Sequence, residues 1–198
     1  MPQYGLRGMK VAKYVNTSGT ISYTDLQEVG AAITANFELQ RSEAKLYADD
    51  GLAEYMASAV GGTISLGVKY IKDAAQKLMF GLVDKSRSVT YTQGTSTTTT
   101  TVSGLGVSAK NEGVYVGVGF YCPAVMDGTK KFWCCRICKA LFAPPNMTLQ
   151  TKGENIVFNT PTTSGQMLMD DSADGLIYES AYVDSEAAAI AWVDAALT

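Results

Sequence analysis

The chain has 198 residues, 46% apolar and 18% charged, with a formal charge of −3 and no histidine. That suffices for one domain with a substantial core and excludes disorder along the whole length. It also excludes histidine-based catalysis and histidine-ligated zinc, and a pI near 5.0 leaves no basic footprint for gripping nucleic acid.

From the N-terminus, MPQYGLRGMKVAKYV has no signal-peptide core, and no apolar run approaches the roughly 20 residues that cross a bilayer. The chain is therefore expected to fold in a cytoplasm with its thiols reduced. Met9, Val11 and Val15 alternate weakly with Lys10, Ala12 and Tyr14, a first strand. In ITANFELQ, Ile33, Ala35, Phe37 and Leu39 alternate with Thr34, Asn36, Glu38 and Gln40. This predicts a strand with one buried and one wet face. LYADDG (46–51), followed by Glu54, is the densest acidic spot. Its carboxylates are candidates for a divalent cation or for acid–base work, but the spacing is not that of an EF-hand, and Asp-Asp-Gly is an ordinary turn. Gly61-Gly62 reads as another turn. In TISLGVKY, Ile64, Leu66, Val68 and Tyr70 alternate with Thr63, Ser65, Gly67 and Lys69, a second half-buried strand. Ile71, Ala74, Ala75 and Leu78 then fall at helical spacing, with Gly81 to stop the helix.

Residues 90–113 are rich in Thr, Ser and Gly with almost no charge. A flexible loop at about 90–112 is expected, with a long hairpin ordered against a partner as the alternative. Residues 113–142 carry two strand-like runs around Asp127-Gly128, a pair that favours a type I′ turn. With those two as loop residues, Phe120 falls opposite Cys135 and Cys122 opposite Trp133. Val114, Val116, Val118, Phe120 and Cys122 then share a face with Trp133, Cys135, Ile137 and Leu141. The other face holds Tyr115, Gly117, Gly119, Tyr121, Cys134, Arg136 and Cys138. ENIVFNT, with Ile156 and Phe158 on one face, and GLIYESAYV from Gly175 predict two more strands; DDSADG (170–175) predicts a turn. A C-terminal helix is expected from Ser185 to about Ala195, capped by Ser185, with Glu186 in its first turn and Ala189, Trp192, Val193 and Ala196 as its apolar stripe.

The CxxC at Cys135–Cys138 is the most suggestive chemical motif. Without histidine, a structural zinc site needs all four cysteines, yet strand alternation puts Cys122 and Cys135 on one face and Cys134 and Cys138 on the other. A thioredoxin-type site needs its CxxC at a helix N-terminus. Small apolar strand residues are the expected role of these cysteines. No Walker, Rossmann or nucleophile-elbow pattern occurs. No catalytic, cofactor-binding or metal residues are therefore assigned, and a structural or binding protein is expected over an enzyme: one mainly antiparallel β domain, 1–198, with one or two small helices.

Several ordered pieces go further: YGLRGMKVAKY, KLYADDGLAEY before GGTISLGVKY, a short helix, GVYVGVGFYC, KFWCCRICKALFAPP, TKGENIVFNTPTTSG and a Trp-containing C-terminal helix. In order and spacing the chain resembles the major tail (tail-tube) proteins of long-tailed bacteriophages, the phi13-type family. The pieces cover most of the chain, and none is catalytic or diagnostic alone. The Thr-rich insertion and the cysteines depart from the family pattern.

The resemblance implies an antiparallel β-sandwich or barrel of the tail-tube type, also found in type VI secretion tubes, with one flanking helix and a short C-terminal one. It implies a structural virion protein whose hexameric rings stack into a tube that conducts DNA from capsid to host. Its partners would be itself, with tape-measure, tail-terminator and baseplate proteins; DNA would only pass through the lumen, and no membrane or cofactor is implied. Assembly would take place in the bacterial cytoplasm. Thr34, Asn36, Glu38, Gln40, Thr63, Ser65 and Lys69 are lumen-facing candidates, or they simply face outer solvent. Arg41–Gly61 would be an arm to the adjacent ring, with Leu46, Tyr47, Asp49, Asp50, Leu52, Tyr55 and Met56 as contact candidates; alternatively its apolar residues belong to the subunit's own core. The competing function is a soluble β-sandwich binding module for carbohydrate or a host surface.

Overall fold

The computed structural model describes residues 2–49, 51–110, 112–145 and 160–198. The strand expected at ENIVFNT and the candidate Asp50 lie outside the described residues. The strands are β1 (Arg7–Thr17), β2 (Thr20–Glu28), β3 (Ala32–Ala48), β4 (Gly51–Val68), β5 (Val83–Gln93), β6 (Ser96–Gly106), β7 (Tyr115–Met126), β8 (Thr129–Phe142), β9 (Thr162–Leu168) and β10 (Tyr178–Val183). The helices are α1 (Asp73–Phe80) and α2 (Glu186–Ala196). The chain is mainly β, and every strand pairing is antiparallel.

Eight strands form one sheet in the order β2-β1-β7-β8-β9-β4-β3, with β10 sharing the far edge of β8. β9 takes the Lys139–Phe142 end of that edge and β10 the Phe132–Ile137 end. β5 and β6 form a separate two-stranded sheet. β1 and β4 are four strand spacings apart, about 19 Å along a flat sheet. Yet Met9 and Val11 of β1 join Ile64, Leu66 and Val68 of β4 in one buried cluster. The sheet therefore curls over a single core, closed by Ala75, Met79 and Phe80 of α1. A second cluster occupies the other face, where Ala189, Val193 and Leu197 of the C-terminal segment meet Ala12, Tyr14, Tyr23, Tyr121, Phe132 and Cys134.

Local chemistry explains the elements. At the β7–β8 turn Asp127 and Gly128 have φ of 49° and 75°, the type I′ signature that matches strand twist. Phe120 pairs with Cys135 and Cys122 with Trp133, as the spacing predicts. Gly81 adopts the left-handed conformation that ends α1. Ser185 caps α2, its hydroxyl accepting from Ala188 N at 3.2 Å. α2 lies close on the sheet because β7 offers glycines: a Cβ on Gly119 would stand 2.8 Å from Val193, and one on Gly117 would stand 2.9 Å from Leu197.

Several expectations need correction. A register shift between Val116 and Val118 sets Gly117 against two residues of β8, so Ala140 and Phe142, not Leu141, continue the core face. A shift between Ala32 and Thr34 turns Ile33 out and brings Ala32 to the core in its place. β4 ends at Val68, which leaves Tyr70 exposed and puts Lys69 in a bend rather than on the strand's wet face. In α1 the buried stripe is Ala75, Met79 and Phe80, while Ala74 is exposed. Gly61-Gly62 is not a turn: both lie inside β4 at another register shift. The Thr-rich stretch is not a loop but most of a regular hairpin. β2 has no counterpart among the expected strands, although Ser18-Gly19, both at positive φ, marks its turn.

Candidate assembly surfaces

α2 covers only part of its face of the sheet. The β3, β4 and β9 part stays bare, and there directly paired residues build polar rows. Glu38 pairs with Thr63 and Thr63 with Gln166; Asn36 pairs with Ser65 and Ser65 with Ser164; Thr34 pairs with Gly67 and Gly67 with Thr162. The structure thus brings Thr34, Asn36, Glu38, Thr63 and Ser65 onto one continuous surface, with Gln40 further along β3. It adds Thr162, Ser164 and Gln166, which sequence reasoning missed; the alternation of TTSGQML was their signal. Lys69 lies in a bend past the end of β4, outside these paired rows. Glu38 is the one ionised group in these rows.

β3 and β4 run on past the body as a hairpin. β9 accompanies β4 from Gly62 to Gly67; beyond Gly62, among the described residues, β4 pairs with β3 alone, from Arg41↔Ala59 to Ala48↔Gly51. The expected arm is therefore a two-stranded ribbon, and its apolar residues do not enter the subunit's own core. Leu46, Tyr47 and Met56 are 57%, 67% and 72% exposed, and Leu52, Tyr55 and Val60 are also more than half exposed. One face carries Ala44, Leu46, Glu54 and Met56. The other carries a Glu43–Lys45 ion pair at 3.6 Å, with Lys45 over the Tyr55 ring. Asp49 sits at the tip with φ of 49°, as a turn residue.

The β5–β6 ribbon is also bare, exposed along nearly its whole length. Its faces differ sharply. Ser86, Ser88, Thr90 and Thr92 pair with Ser103, Thr101, Thr99 and Thr97, an all-hydroxyl face tied by Thr90–Thr99 and Thr92–Thr97 contacts at 2.7 and 3.2 Å. The opposite face presents Lys85, Arg87, Val89 and Tyr91 with Val102. A free two-stranded ribbon is marginal in water. Here Lys77 of α1 pins the root through Asp84 at 2.6 Å.

Three of the four cysteines are buried and Cys122 is half-buried. Cys134 and Cys135 fall in opposite clusters, Cys138 is buried, and all four thiols are free. Burial pushes Cys134 and Cys138 up to about 11 and Cys135 up to about 12, so they stay protonated and poorly nucleophilic at neutral pH. No group of three or more Cys, Asp or Glu side chains placed for a metal lies among the described residues.

The DDSADG turn is tied down rather than open. Asp170 accepts from Ser172 Oγ at 2.6 Å and Leu176 N at 2.9 Å. The Tyr14 hydroxyl donates to Asp171 at 2.8 Å and accepts from its N–H at 3.0 Å, and Lys139 pairs with the same carboxylate at 2.8 Å. Hydrogen bonds from Lys139 and Tyr14 hold the Asp171 carboxyl down to about 2. An open groove of about 440 Å³ beside Leu6, Phe37, Phe120 and Trp133 has no ionisable lining residue except Cys122.

No family model and no curated protein matches this chain. No helix among the described residues is long and apolar enough to cross a membrane.

Proposed function

We propose that the chain is a structural, self-assembling subunit of the tail-tube type. In this reading hexameric rings stack into a tube, with no catalytic role. The observation that carries it is the bare Arg41–Val60 ribbon, which projects six large apolar side chains that are more than half exposed among the described residues. Each would gain roughly 1–2 kcal/mol on burial against a neighbour. Two further features support self-association. Among the described residues the sheet path ends at β2 and β3, whose outer edges pair with no further strand of the chain, although Tyr23 N–H of β2 donates to the Thr198 carbonyl at 3.2 Å. The polar rows on β3, β4 and β9 are nearly uncharged apart from Glu38, a wall along which a polyanion would slide without sticking.

The phage tail-tube resemblance supplies the particular assembly, with tape-measure, terminator and baseplate proteins as the remaining partners. The purified chain, concentrated and viewed by negative-stain microscopy, should form rings or tubes. A chain that stays monomeric at every concentration sinks the proposal. A map of the assembly should put Glu38 and Gln166 on the lumen wall; finding them on the outer surface removes the lumen assignment and leaves assembly standing.

A further inference from the structure

The two bare ribbons differ in charge. Over residues 46–56 the arm has Asp49, Asp50 and Glu54 and no basic residue. The apolar-cationic face of β5–β6 has Lys85 and Arg87 and no acid, because Asp84 points to the other face, where Lys77 holds it. Among the described residues Lys85, Arg87, Asp49 and Glu54 make no ion pair, although most lysines and arginines of the body do.

The order of groups also matches. From its tip inward the arm presents Asp49, then Glu54 beside Leu46, then Met56. From its root outward the β5–β6 face presents Lys85 and Arg87, then Val89, then Tyr91. At strand rise the paired stretch of the arm, Arg41–Ala48, is roughly 27 Å long and the β5–β6 ribbon roughly 37 Å. Laid tip to root, Asp49 and Glu54 come against Lys85 and Arg87 and Met56 against Val89, while Tyr91 falls level with Ser42 and Ser58. The hydroxyl face of β5–β6 is then left to solvent, which it suits.

We infer that the β3–β4 arm of one copy docks on the Lys85/Arg87/Tyr91 face of the β5–β6 ribbon of a second copy. This rests on the reading of the chain as a self-assembling subunit, and it names the receptor for the arm. Opposite charges at such a contact set register and partner choice more than raw affinity.

The test is a charge-swap cycle on the full chain: wild type, Glu54→Arg, Arg87→Glu and the double variant. Sedimentation and negative-stain microscopy read the concentration for half-assembly, and far-UV circular dichroism checks the fold. Each single swap should raise that concentration about ten-fold or more, and the double variant should recover most of the loss. Single variants that assemble like wild type, or a double variant no better than the worse single, overturn the docking while the tube reading survives; the ribbon face is then free for a different partner. A wild-type chain that never assembles overturns both.

Discussion

Single side chains hold the two faces of the sheet to their covers. Arg136 donates to the Ala196 carbonyl and to Glu179, both at 2.9 Å, and lies over the Tyr23 ring. It thus joins α2, β10 and β2. Arg136→Ala should cost about 1.5–3 kcal/mol, the usual range for charge-assisted hydrogen bonds; a denaturation midpoint unchanged from wild type would contradict this. Asp171 acts in acid. Its folded-state pKa lies below the usual 3.8, near 2, so its contribution is present above about pH 4 and is lost as pH falls towards 2. Asp171→Asn should flatten the acid limb of the stability profile over that window, and an unchanged limb would show that the tie contributes nothing.

The thiols act with the opposite sign. Their raised pKa values favour the fold below the usual value near 9, and that contribution is lost as pH climbs through about 11–12. At pH 8 a thiol reagent should label Cys122 first and leave the other three until the protein unfolds. Rapid labelling of all four in the native state would refute the burial. The split of Cys134 and Cys135 over two faces was legible in the sequence, because alternation in a strand requires it. The bulge that expels Leu141 was not, since it depends on how β7 and β8 slide past each other.

At the scale of elements, the seat of α2 is a glycine surface. A larger residue at Gly119 would overlap Val193 and Leu197. Gly119→Val should therefore cost about 1–3 kcal/mol by overpacking and loosen the C-terminal helix, read as a lower melting temperature and a more mobile Trp192. A melting temperature equal to wild type would mean that the helix can shift to make room. The arm behaves differently, since its residues from Arg41 to Val60 are exposed throughout their described length. Replacing residues 42–58 by a short turn should move the melting temperature by only a few degrees, within about 1 kcal/mol for surface changes, while abolishing assembly. Loss of the fold would show instead that the ribbon belongs to the core. Sequence alone left the destination of Leu46 and Met56 open, because an apolar residue carries no mark of whether its cover comes from its own chain.

For the whole molecule, the architecture divides into a body with one buried face and a second partly covered by α2, and two ribbons exposed on both faces. The body accounts for stability, whereas the ribbons and open edges account for the proposed assembly. Docking between ribbons through exposed charges should weaken with salt. The concentration for half-assembly should therefore rise between roughly 50 mM and 0.5 M salt if the charges contribute as inferred. A flat salt response would assign the arm contact to its apolar side alone.

The local rules can be read from the amino-acid order: which stretches alternate, where Gly81 and Gly128 turn the chain, how Ser185 starts α2, and that the cysteines lie on a strand rather than a turn. Each of these depends on neighbours a few residues apart. Long-range packing settles that the sheet curls, that α2 covers part of one face and that β9 completes the polar rows. Those outcomes depend on strand order and register between segments such as Arg7 and Tyr121, or Gly62 and Met167, that are far apart in the chain, which no local pattern encodes.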